Sequence, residues 1–178
     1  PPIGWVKEMK DEAELRVSGS LGAEVVIDDI FLSSPDLVLA GSALRKKDEK
    51  FSLNFEKLAL KDVFDLKLII NNDGALDITG GELNLQEFLK LPLVTSPSEK
   101  SAPLSIYLDE LKLYEKQGIT RFTAALDSTG KGEFSGSLND LASFSGRLER
   151  VRSGFNMRAV SNNAGSFIRA LGAAKAAD

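Results

Sequence analysis

Apolar residues recur at every second position through most of this chain, and that period constrains the fold more than any other feature. "FSLNF" sets Phe51, Leu53 and Phe55 on one side of an extended backbone, with Ser52 and Asn54 on the other. "FDLKLII" does the same with Phe64, Leu66, Leu68 and Ile70. The alternation continues through Leu37 and Leu39, Leu76 and Ile78, Leu104 and Ile106, then Phe122, Ala124 and Leu126, and a later run of Phe134, Gly136 and Leu138. Such a period means strands with one apolar and one polar face. "NNDG" at 71–74, "STGKG" at 128–132 and the pair Gly80-Gly81 are turn signals between runs. The expectation is an all-β chain of about ten strands in an antiparallel meander.

Only two stretches read as helical. In "NLQEFLKLP", Asn84 can cap, Leu85, Phe88 and Leu89 share a face, and Pro92 follows. In "SNNAGSFIRALGAAKAAD", Asn162 or Asn163 can cap a narrow stripe of Phe167, Ile168 and Leu171. "TSPSEKSAP" (95–103) has the composition of a flexible loop. It divides the chain into a β-segment, 1–94, that ends in a short helix, and a second, 104–178, with the C-terminal helix. The two can still share one sheet.

One irregularity repeats. "VVIDDIFL" (25–32) alternates until Asp28-Asp29, where Ile27 and Ile30 stand three apart; "FEKLAL" (55–60) and "LDELKL" (108–113) have the same form. A spacing of three puts the flanking apolar residues on opposite faces of a regular strand, so the phase must be reset. A β-bulge resets it by adding one residue to one strand, with a bend and extra twist; a tight bend between two shorter strands would also serve. The functional alternative is a carboxylate pair for metal binding or acid–base work. Neighbouring strand residues point to opposite faces, which favours architecture over a shared ion.

Composition excludes several classes of function. There is no histidine and no cysteine, which removes Ser-His-Asp and Cys-His nucleophiles, thiolate chemistry and the usual zinc ligands. No cofactor and no metal is implied. The net charge is −4, and the densest basic cluster, Arg45-Lys46-Lys47, is followed at once by Asp48 and Glu49. It reads as a solvated turn, and nucleic acid is not an expected partner. "STGKG" lacks the spacing of a phosphate loop and no helix follows it. No apolar run approaches the ~20 residues of a membrane span. The opening Pro1-Pro2 reads as a segment of a longer chain, and Trp5 beside them as a packed edge or an interfacial anchor.

Many one-faced strands with two short helices leave an apolar face to bury. The sheet could close as a sandwich or barrel, with the Leu and Phe stripes as core. It could instead remain a long, curved single layer whose concave apolar face is an open groove.

The tail "RFTAALDSTGKGEFSGSLNDLASFSGRLERVRSGFNMRAVSNNAGSFIRALG" (121–172) resembles the C-terminal region of the AsmA-like family. The resemblance rests on "G-x-F-x-G-x-L" (Gly132 to Leu138), and on a strand leading into Ala164, Gly165, Phe167, Ile168, Arg169, Ala170, Leu171 and Gly172. "GGELNLQEFL", with Asn84 where Asp is common, and "PLSIYLDELKL" resemble that family's upstream elements. The order of these elements from about residue 18 to 172 carries the likeness. It implies an elongated β-meander forming an open groove, within a bridge-like lipid transfer protein of a Gram-negative envelope. The full-length protein would be anchored in the inner membrane and cross the periplasm. The implied partners are a phospholipid or other acyl-chain lipid and the rest of a longer membrane-anchored chain.

The residues expected to line the groove are Leu37, Leu39, Phe51, Leu53, Phe55, Phe64, Leu66, Leu68, Ile70, Leu76, Ile78, Leu104, Ile106, Leu108, Phe122 and Leu126. Phe167, Ile168 and Leu171 could cap one end, or pack as a plain amphipathic helix. A non-catalytic scaffold or assembly module of the envelope is the rival reading. An enzyme is the least favoured, since no acidic pair stands out beyond the repeated interruption.

Overall fold

A computed structural model describes residues 12–91, 102–114, 117–138, 142–151 and 154–166. The described chain is one sheet of eleven strands in sequence order. The strands are β1 (Glu14–Leu21), β2 (Val25–Ser33), β3 (Leu37–Arg45), β4 (Ser52–Leu60), β5 (Phe64–Ile70) and β6 (Leu76–Asn84), then, after helix α1 (Leu85–Lys90), β7 (Leu104–Tyr114), β8 (Gln117–Leu126), β9 (Gly132–Leu138), β10 (Ala142–Val151) and β11 (Gly154–Ser161). β1 and β11 are the free ends of the strand order, so the sheet is open and not a barrel. It runs without a break from the first expected segment into the second.

Every neighbouring pair is antiparallel except β6 and β7, which run parallel. A wholly antiparallel meander is therefore corrected at this one point. A parallel pair needs a crossover connection, and α1 is part of it. Asn84 caps the helix, its side-chain oxygen accepting from the Glu87 amide at 3.3 Å, as its position implied. A second helical turn starts at Ala164–Ser166, where Asn163 Oδ1 accepts from the Ser166 amide at 3.1 Å. Phe167, Ile168 and Leu171 lie outside the described residues, as does most of the 95–103 loop.

The repeated interruption is a bulge in two of its three copies. Ile27 and Ile30 face Ala43 and Gly41, so β2 has one residue more than β3. Phe55 and Leu58 face Leu68 and Leu66, giving β4 one more than β5. In β7, Leu108 and Leu111 keep the same face, and β7 stays in step with its neighbours because they shift phase with it. β6 makes its extra residue at Gly80-Gly81, and β8 near Arg121, whose φ is +51°. The bulges thus form a crease across the middle of the sheet. None of the acids gathers: among the described residues no group of three acids could hold a metal ion.

Gly80-Gly81 are consequently not a turn between strands, as expected, but the bulge of β6. Both have left-handed φ, +70° and +69°. A Cβ on Gly81 would lie 1.7 Å from the Asp65 carbonyl oxygen, and the Gly81 amide donates to Asp109 Oδ2 at 2.7 Å. An acid of the third copy therefore ties the bulge of β6 to the neighbouring strand. The other two signals are hairpin turns, closed by Gly74 N–H to Asn71 and by Gly130 N–H to Asp127, each at 2.9 Å. At the second, the Thr129 hydroxyl and the amides of Lys131 and Thr129 hold the Asp127 carboxyl below its ordinary range.

Gly81→Ala combines a disfavoured φ with a backbone clash, and an expected loss of about 2–4 kcal/mol follows. Gly74→Ala, with φ of +92° and nothing within 4 Å of its Cβ, isolates the φ cost at about 1 kcal/mol. Urea denaturation of both variants checks the difference.

Candidate functional site

Cross-strand pairing collects the apolar residues into rows that run along the sheet, perpendicular to the strands. One row follows the end of the sheet near α1: Leu37, Leu60, Phe64, Leu83, Leu111, Ile119, Leu138 and Ala142, each paired with the next. All but Leu83 are buried. A second row follows the opposite end: Ile27, Ala43, Leu53, Ile70, Leu76, Leu104, Leu126, Gly132, Leu148 and Met157. There only Ala43 is buried, and Met157 is 53% exposed. Between them run Ile30, Gly41, Phe55, Leu68, Ile78, Ile106, Ala124 and Phe134.

One layer of sheet can remove side chains from water only by curling, so that neighbouring strands close over them. The apolar face is therefore the inside of a curved trough, sealed along one lip and open along the other. α1 contributes to the seal. Phe88 and Leu91 pack against the cluster of Leu37, Leu58, Leu60 and Phe64, and Leu85 against the cluster around Leu108. Further along, aromatic rings fill the places where glycines leave room. Gly136 faces Phe144 and Gly146 faces Phe134, and a Cβ on Gly146 would meet the Phe134 ring at 2.5 Å. The two rings are 6.1 Å apart, tilted. This is the physical content of "G-x-F-x-G-x-L".

Leu37, Leu39, Leu53, Phe55, Phe64, Leu66, Leu68, Ile70, Leu76, Ile78, Leu104, Ile106, Leu108, Phe122 and Leu126 all lie on this face. Leu37, Phe64 and Leu108 are sealed into it, while the other twelve are half-buried. Phe51 stands apart. It precedes β4, is 40% exposed, and has the Arg45 guanidinium 5.1 Å from its ring centroid. Leu58, Leu60, Leu83, Leu111, Ile119 and Phe144 line the face without having been expected there. Several follow a bulge, and only the repeated interruption could have revealed their change of phase.

Charges are on the other face. Lys57 and Asp65 pair at 2.6 Å, and Arg147 and Glu133 at 3.1 Å. Lys112 pairs with Glu82, whose hydrogen bond raises the lysine above its ordinary value. Exposed pairs of this kind contribute little to stability. A depression of about 680 Å³ also lies on this polar side, bordered by Ser105, Tyr107, Thr123, Ser135 and Arg147. Its lining mixes the hydroxyls of Ser105, Thr123, Ser135 and Ser145 with Ala125, Val160 and the charged Glu133, Arg147 and Arg158. Among the described residues, no ionisable group projects from the middle of the apolar face; Arg45 and Arg150, at the ends of β3 and β10, stand at the open lip. The trough can exclude water from an apolar chain, and among the described residues it presents no acid–base pair.

No helix of the described residues is long and apolar enough to cross a membrane. Comparisons of the chain with family models, with curated proteins and with solved structures found no match.

The two lips differ in what truncation should cost. Leu111→Ala removes a buried side chain with partners on both neighbouring strands, for an expected loss of about 2–5 kcal/mol. Leu76→Ala, on the open lip, is expected to cost about 1 kcal/mol, in proportion to the smaller area it buries. Denaturant midpoints of the two variants test whether one lip is sealed and the other open.

Proposed function

We propose that this chain is a segment of a bridge-like lipid transfer protein, in which the trough shields phospholipid acyl chains moving between inner and outer membranes across the periplasm. The carrying observation is the unsealed row from Ile27 to Met157, an apolar lip continuous over ten strands. At about 4.8 Å per strand it extends roughly 43 Å, enough for an acyl chain to lie along it. Each methylene taken from water contributes about 0.8 kcal/mol. A lining of similar aliphatic side chains gives no position a deep well, so a chain can slide along it. The role is physical, not catalytic. The resemblance to the AsmA-like family supports the same reading, with the full-length protein anchored in the inner membrane.

One observation favours a scaffold instead. Among the described residues β1 is an edge strand, exposed along its whole length, with Leu15 at 67%, Val17 at 58% and Leu21 at 86%. It carries neither Pro nor Lys to discourage another strand from pairing.

The test puts a photo-crosslinking residue at Leu76 or at Lys67, in cells with labelled phospholipid. Leu76 lies on the open lip, and Lys67 is exposed on the opposite face of neighbouring β5. Lipid captured at Leu76 and not at Lys67 is the expected result. A folded, correctly located protein that captures none at either position would sink the lipid reading and leave the scaffold.

A further inference from the structure

The trough's open lip carries a concentration of positive charge where β3 turns into β4. Residues 45–50 are Arg45, Lys46, Lys47, Asp48, Glu49 and Lys50: four cations against two acids, +2 in a chain of net −4. One of the acids is engaged, Glu49 accepting from Asn72 Nδ2 at 3.0 Å. Arg45 differs from the lysines in its placement. It continues the series Leu37, Leu39, Gly41 and Ala43 and pairs with Val25 across the sheet, so its stem is on the apolar face. Its guanidinium lies over the ring of Phe51, which stands two residues before Leu53 of the open row. Phe51 is thus a large exposed aromatic at the mouth of the trough, holding a cation beside it.

An apolar floor ending in an aromatic ring and a fixed guanidinium is complementary to one kind of molecule: an amphiphile whose hydrocarbon enters the trough and whose anionic oxygens remain at the lip. We infer that the β3–β4 hairpin is the headgroup station of the trough, and that it selects acidic phospholipids through Arg45 and its neighbouring lysines. Arg45 meets phosphate oxygens as a fork, and Phe51 holds that fork at the height of the lip. The inference rests on the lipid-groove reading and adds to it a headgroup preference and an entry point.

The experiment uses the full chain with a photo-crosslinking residue at Leu53, offered mixed vesicles in which either phosphatidylglycerol or phosphatidylcholine carries the label. Preferential capture of phosphatidylglycerol is expected. Arg45→Gln should reduce that preference about fivefold, and Lys46→Gln with Lys47→Gln by a comparable factor per charge, while capture of phosphatidylcholine is unchanged. Lys57→Gln, on the other face, should leave the preference as it was. Millimolar inorganic phosphate should not displace the captured lipid, because it has no tail to place in the trough; displacement would show a simple anion site and overturn the inference. Equal capture of both lipids, or a preference that survives Arg45→Gln, would overturn it while leaving the groove reading standing. No capture of either lipid at Leu53, with none at Leu76, would remove the groove reading itself.

Discussion

A single sheet with one apolar face has no second layer to bury that face against, and the other features of this structure are responses to that constraint. In a sandwich, side chains of two sheets interdigitate. Here curvature replaces the second sheet, and curvature needs a source. The crease of bulges supplies it. Each extra residue increases local twist and bends its strand, and four of the eleven strands carry one at the same level. The acids at these positions are exposed because a bulged residue is released from the alternation, which is why a polar residue is tolerated in the middle of an apolar run.

Curvature alone would treat both ends of the strands alike, and the burial of the two outer rows shows that they differ. The parallel pair β6–β7 breaks the equivalence. Its crossover must pass over one face, and α1 does so on the apolar face at the end where β6 finishes. Phe88, Leu91 and Leu85 are thereby placed over Leu60, Phe64 and Leu83, and the nearby lip closes. At the opposite end both strands of the parallel pair begin, with Leu76 beside Leu104, and among the described residues no helix packs over them. In β9 and β10 the same need for burial is met by size complementarity: Phe134 and Phe144 lie over glycines of the adjacent strand, so rings occupy space that side chains on both strands would contest.

The period-2 pattern was enough to read the face to which Leu53, Leu68 or Ile106 belongs, because that depends only on the local backbone. The bulges of β2 and β4 were legible for the same reason, since a spacing of three within an alternating run has few local solutions. Gly80-Gly81 misled because two glycines in left-handed conformation serve a bulge as well as a turn, and only the proximity of Asp65 and Asp109 decides between them. Whether a leucine is sealed or half-open was out of reach. Leu37 and Leu39 look alike in the chain, yet Leu37 heads the row that leads to α1 and Leu39 does not. Phe51 continued the alternation but lies just before the start of β4, exposed beside Arg45 at the mouth of the trough and not along its lining.

The division into a sealed and an open lip separates two demands that conflict in most binding proteins. Residues that hold a fold together cannot be freed each time a ligand leaves, and residues that bind a passing ligand cannot depend on it for their structure. The sealed row, with Leu108 and the Phe134–Phe144 contact, buries its apolar surface within the protein itself, with no part of that burial supplied by a ligand. The open row keeps each of its leucines and isoleucines half in water, at a cost spread over ten strands and concentrated at none. Filling the trough would recover that exposed area, while emptying it would leave the sealed side untouched. On the proposed lipid-carrying role, a lining arranged in this way would exchange its contents one methylene at a time without asking the sheet to unfold.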